Sequence, residues 1–154
     1  MDKGAHFFKC DFQVHTPRDI NWQGQRPASD SDRKAYAEDF VKKCRELGIQ
    51  AVAITDHHDF GFFPFIKAAA ANEVDDRGLP VENYKRLVVF PGVELTLSTP
   101  PCQALLIIDA DYPDAHLTQI LHLFGITPNT LTDPMTTPTV PISNTNKQSN
   151  ECAL

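Results

Sequence analysis

The chain has 154 residues, 42% of them hydrophobic and 22% charged, which is the mix of one ordinary globular domain with a single core. A formal charge of −6 excludes a large basic face and leaves a small phosphorylated ligand, or a nucleic acid held mainly through metal ions, as the anionic partners that fit. The first residues carry no apolar secretory core and no apolar run is long enough to span a bilayer, so the expected address is the cytoplasm with no membrane partner. Cys10, Cys44, Cys102 and Cys152 are scattered without a CxxC pair, as suits reduced thiols.

In chain order, Phe7 to Val14 is rich in aromatic and branched residues and predicts a strand. Thr16 to Ser31, with Pro17, Gly24 and Pro27, is long for a plain connection and predicts an active-site loop, in which Trp22 is either a lid or a packing residue. Asp30, Ser31 and Asp32 supply N-cap chemistry for a helix to about Leu47, with Gly48 at the position of a left-handed C-cap. Tyr36, Phe40, Val41, Cys44 and Leu47 recur along it at helical spacing.

Ile49 to Thr55 is nearly all apolar, as expected of a strand covered on both faces. A second helix is expected over Phe60 to Asn72, with Pro64 restricting its start. Leu87 to Glu94 predicts a third strand, in which Pro91-Gly92 implies a bend or bulge. A fourth strand, Ala104 to Ile108, precedes a helix from about Pro113 to Phe124. The alternation predicts an α/β fold of about four parallel strands with outer helices and a ligand beyond the carboxyl ends of the strands.

Residues 125–154 hold seven Thr, four Pro, four Asn and two Ser without periodicity. The division expected is therefore a folded domain over 1–124 and a low-complexity tail over 125–154, which is disordered, a linker, or sequence read past a truncation.

The chemistry gathers at the predicted strand ends. In Asp11-Phe12-Gln13-Val14-His15, alternate positions place Asp11, Gln13 and His15 on one face of an extended chain. Thr55-Asp56-His57-His58-Asp59 puts two His and two Asp directly after a buried strand, a costly grouping that a divalent cation neutralises. His57 is the better ligand of the pair, because His58 points away while the backbone stays extended. Glu94, at the end of the third strand, reaches the same cavity and could bridge two metals. Imidazole and carboxylate together suit Zn, Mn or Fe.

Asp11-Phe12-Gln13-Val14-His15-Thr16, Ala53-Ile54-Thr55-Asp56-His57 and Pro91-Gly92-Val93-Glu94 resemble the first three motifs of the PHP (polymerase and histidinol phosphatase) superfamily, in order and at ordinary spacing. His15-Thr16-Pro17-Arg18-Asp19 followed by Trp22 is similar to PHP domains at the N-termini of TrlF-type proteins, which continue into an ATPase region. The resemblance implies a distorted seven-stranded (β/α) barrel, up to three metals, and hydrolysis of phosphoesters, with an ATPase domain or subunit as a partner. By this analogy the metal set comprises Gln13, His15, Asp19, His57 and Glu94. Asp11 and Asp56 act as ligands or as carboxylates orienting them, and Arg18 either clamps a phosphate oxygen or is a surface cation of its polar loop.

Three departures narrow that expectation. Gln13 stands where the family has His, and Gln103 stands where a His is common. No Asp-x-His pair follows Phe124, and His116 and His122 sit six residues apart on different faces of the predicted helix. About 124 residues hold roughly four strands, so the chain reads as a partial barrel with an open parallel edge that offers a route to self-association. The alternative function implied is a binding or regulatory module without catalysis.

Overall fold

The computed structural model describes residues 4–19, 21–98 and 101–126. Its core is a four-stranded sheet in the order β1 (Cys10–Val14), β2 (Ala51–Ile54), β3 (Val88–Ser98) and β4 (Pro101–Ile107). Helices α1 (Asp30–Glu46) and α2 (Phe63–Ala71) pack together over one face, and α3 (Leu117–Leu123) closes the described chain. This is the expected α/β architecture of a partial barrel.

One expectation about direction is overturned. β1, β2 and β3 run parallel, but β4 is antiparallel to β3, in register from Gly92 opposite Ile107 to Ser98 opposite Pro101. Only residues 99 and 100 separate the two strands, whereas a parallel neighbour needs a crossover of a dozen or more residues. The parallel edge of the sheet is therefore β1 alone.

β3 is one continuous strand across Pro91-Gly92, where a bend or bulge was expected, and it changes partner there. Its first half, Val88 to Pro91, pairs with β2, and the residues from Gly92 onward pair with β4. Pro91, which has no N–H to give, stands where one ladder ends and the other begins. Gly92 is required for closeness instead: a Cβ there would lie 2.8 Å from Thr55 Cγ2, 3.1 Å from the Ile54 carbonyl oxygen and 3.2 Å from that of Leu106.

Several boundaries shift for local reasons. β1 starts at Cys10, and Phe7 and Phe8 are exposed. The α1 N-cap is Ser29, one residue before the acidic cluster: its hydroxyl accepts from the Asp32 N–H while Asp32 accepts from the Ser29 backbone, a reciprocal capping box. Leu47 caps the other end and Gly48 takes φ 69°, as the sequence requires. α2 starts at Phe63, so Pro64 falls in its first turn, where its missing N–H costs nothing. The last helical segment is split into a 3-10 turn, Asp114–His116, and α3, with His116 and His122 both exposed.

The core joins Ala37, Val41 and Cys44 of α1 and Phe63, Ile66 and Ala70 of α2 to Val52, Ile54, Val89, Val93 and Leu95 of the sheet. Alternate residues of β3 turn to the opposite face, where Phe12 meets Phe90 edge to face at 5.8 Å. Ile126 is buried in the same core, its N–H bonded to the Leu121 carbonyl past Gly125 at φ 70°. The rest of the predicted tail lies outside the described residues. No helix among the described residues is long and apolar enough to cross a membrane.

Candidate metal centre

His15 and His57, just past the carboxyl ends of β1 and β2, meet Glu94, which lies inside β3 beyond the residues that pair with β2 rather than at the strand's end as the sequence suggested. β1 ends at Val14, whose carbonyl accepts the Thr55 N–H at 2.8 Å, so the chain leaves β1 and β2 side by side with His15 and Asp56-His57 just beyond. β2 then touches β3 again: His57 and Glu94 form a parallel bridge, with the Glu94 N–H donating to the Asp56 carbonyl at 3.2 Å and the His58 N–H to the Glu94 carbonyl at 3.3 Å. These backbone bonds fix where both side chains start.

His15 Nε2 lies 3.1 Å from Glu94 Oε2, and His57 Nε2 lies 3.6 Å from Glu94 Oε1. Donor atoms placed around a tetrahedral cation at its usual bond lengths are ~3.3 Å apart, so this spacing fits a cation held by two imidazoles and one carboxylate. Glu94 is 1% exposed, and both its oxygens are turned to the histidines. Thiolates take no part, in keeping with a borderline or hard divalent ion.

Both substituted amides line this centre. Gln13 Nε2 donates to Glu94 Oε2 at 3.3 Å, and the Gln103 amide lies 3.3 Å from His57 Nε2. Gln103 is delivered by β4 opposite Thr96, and its antiparallel register is what brings it over His57.

Asp19 is buried against the other edge of the two rings, with Oδ2 2.8 Å from His15 Nδ1 and 2.6 Å from His57 Nδ1. Burial alone would raise its pKa, but the hydrogen bonds from the His57 ring and from the Asn21 and His57 backbone N–H groups outweigh it and hold the carboxyl below its ordinary value.

Asp56 is fully buried, and its oxygens accept from the Thr16 N–H and the Thr16 hydroxyl, both at 2.6 Å. It thus ties down the residue after His15. Burial dominates its titration and, with the nearby charges of Asp19 and Asp59, pushes its pKa up to about 7 despite the two Thr16 bonds. His15, Asp19 and Asp56 form a second group close enough to share an ion. With both Asp56 oxygens engaged by Thr16, the first group is the more open to one.

The remaining predicted residues sit elsewhere. A bulge between Asp11 and Val14 resets the alternation expected of β1. Asp11 is exposed, accepts the Gln13 N–H at 3.2 Å and acts electrostatically on Cys44 of α1, while Gln13 and His15 face the centre. Arg18 is buried, and its Nε pairs with the Asp59 carboxylate. Trp22 packs edge to face on Tyr36 at 6.1 Å. His58 leaves the extended conformation at φ 54° and accepts the Thr96 N–H on Nε2 at 3.2 Å, away from the histidine pair. Sequence reasoning missed Thr16, whose signal was a small hydroxyl placed directly after His15.

Of the comparisons with known proteins, one gives a match. The family model described as PHP domain matches residues 27–149, well over half of the chain, a span that holds Asp56, His57 and Glu94 and starts after His15. No curated protein and no solved structure matches the chain. On that match, carried by an α/β partial barrel, the chain belongs to the PHP domain family.

Proposed function

We propose that the protein is a metal-dependent phosphoesterase that hydrolyses a phosphomonoester or phosphodiester. The observation that supports this best is the convergence of His15 Nε2, His57 Nε2 and the Glu94 carboxylate at the spacing of a cation's coordination shell. A divalent ion such as Zn, Mn or Fe bound there supplies an acidified water and neutralises charge on the phosphoryl oxygens. The residues of the chain do the positioning. His15 and His57 bind, Glu94 faces both, and Asp56 anchors Thr16 so that His15 stays at the rim.

The acidic surface favours a small phosphorylated substrate or a nucleotide over a long nucleic acid. A TrlF-like setting, with an ATPase domain or subunit as partner, extends the proposal on the strength of the His15-Thr16-Pro17-Arg18-Asp19 run. The competing reading is a binding or regulatory module without catalysis. What favours it is that Gln13 and Gln103, neutral amides with weak affinity for transition metals, occupy the flanks of the centre.

Metal analysis of the purified chain, with a phosphodiester and nucleotide panel under added manganese, separates the two. Stoichiometric metal and manganese-dependent turnover lost in His57→Ala are expected of the enzyme. Absence of both would leave the binding module.

A further inference from the structure

The residue types around the centre make Asp19 one more ligand, but its distances do not. Its Oδ2 stands 2.8 Å from His15 Nδ1, 2.6 Å from His57 Nδ1 and 3.3 Å from the His57 backbone N–H, and its Oδ1 accepts the Asn21 N–H at 2.8 Å. Two donors of one four-coordinate cation are ~3.3 Å apart. Separations of 2.6 and 2.8 Å are those of charge-assisted N–H···O hydrogen bonds.

The rings are arranged to match. Those of His15 and His57 stack 17° from parallel with centroids 5.1 Å apart, so both Nδ1 edges meet one carboxylate and both Nε2 edges meet the other. A carboxylate has no proton to give, so the protons shared with Asp19 belong to the two Nδ1 atoms. Each Nε2 of a neutral ring then faces Glu94 as a lone pair against an acceptor, an opposition that a cation relieves. Asp56 does not compete, since Thr16 occupies both its oxygens.

We propose that Asp19 is a positioning residue, a single carboxylate oxygen that holds the Nδ1 protons of both His15 and His57 and thereby presents both Nε2 lone pairs, together with Glu94, to one divalent cation. This rests on the metal-centre reading above. Its particular content is that one side chain sets two ligands at once, so that its loss disturbs both rings.

Long-range 1H–15N spectra of the metal-free chain at pH 8 test it directly. Wild type is expected to carry the proton on Nδ1 in both His15 and His57, and Asp19→Ala to move both rings toward the Nε2-protonated form. Zinc affinity of Asp19→Ala, read by chelator competition, is expected to fall roughly 10–100-fold, the range for partners that orient ligands. The cobalt absorption spectrum should keep its coordination number. An Nε2-protonated ring at either histidine in wild type overturns the proposal, as does a cobalt spectrum one ligand short in the variant. If Asp19→Ala does not fold, the wild-type spectrum alone decides. Nδ1-protonated rings in a chain that binds no metal would support the positioning role and overturn the phosphoesterase reading.

Discussion

The imidazoles of His15 and His57 stack at 5.1 Å although they follow different strands and are separated by more than forty residues. The pairing is made by backbone bonds, the Thr55 N–H to the Val14 carbonyl and the Glu94 N–H to the Asp56 carbonyl, which align the ends of β1 and β2 with the middle of β3. The centre is accordingly a property of the sheet rather than of a mobile loop, and substitutions in it are expected to act on metal and stability together.

Glu94→Ala removes the carboxylate that faces both Nε2 atoms and leaves the Gln13 amide without its acceptor. Divalent-metal binding should therefore be lost, as read by calorimetry. Retained stoichiometric zinc in this variant would show that the ion sits elsewhere.

Gly92→Ala is expected to destabilise the fold by about 1–3 kcal/mol in urea titration, as overpacking does. The new methyl would meet Thr55 Cγ2 and two backbone carbonyl oxygens at 2.8 to 3.2 Å, and backbone does not swing aside as a side-chain end can. Because Thr55 leads into Asp56-His57, metal affinity should weaken in the same variant.

The metal-free protein should lose stability as pH rises through neutrality. Asp56 has a folded pKa of about 7 against an ordinary value of 3.8, so the fold favours the protonated carboxyl. That contribution is complete below about pH 4 and disappears as pH passes through about 7. The difference in urea midpoint between wild type and Asp56→Asn, followed in EDTA from pH 5 to 8, isolates it. Wild type should decline relative to the variant across this window, and a constant difference would refute the assignment.

Thiol labelling should divide the described cysteines. Cys10 and Cys102 are exposed and should react readily at pH 8. Cys44 is buried in the α1 core, its pKa pushed up by burial to about 11, and should react only on unfolding. Mass mapping after a short pulse of reagent reads the pattern.

Ser29→Ala should cost about 1 kcal/mol of stability, since it removes one half of the α1 capping box. Circular dichroism with denaturant measures it.

Much of this was legible in the residues. The runs at Val14 and Ile54 announced strands whose ends carry His15 and Asp56-His57, the run at Val93 announced a strand that carries Glu94 but continues to Ser98, and Gly48 announced the end of α1, because burial and left-handed backbone leave strong local signals. The direction of β4 was not legible from periodicity, which is the same in parallel and antiparallel strands; the signal was the short gap after Ser98. The displacement of Asp11 was hidden as well, since a single-residue bulge in β1 reverses which face each side chain takes without changing the pattern of residue types. Sequence put Gln13 in the metal set as a weak ligand and Gln103 where a His is common, and in space both amides reach the centre from opposite edges of the sheet.

The strand ladder that holds the centre has a kinetic corollary. Gln13 and Glu94 meet across 81 residues of chain, Thr16 and Asp56 across 40. Contacts of that reach form only after loops of corresponding length have closed, which is slow relative to helix formation in α1 or α2. The coordination shell should therefore appear among the last events of folding, and added cation should slow unfolding far more than it speeds the collapse that precedes it.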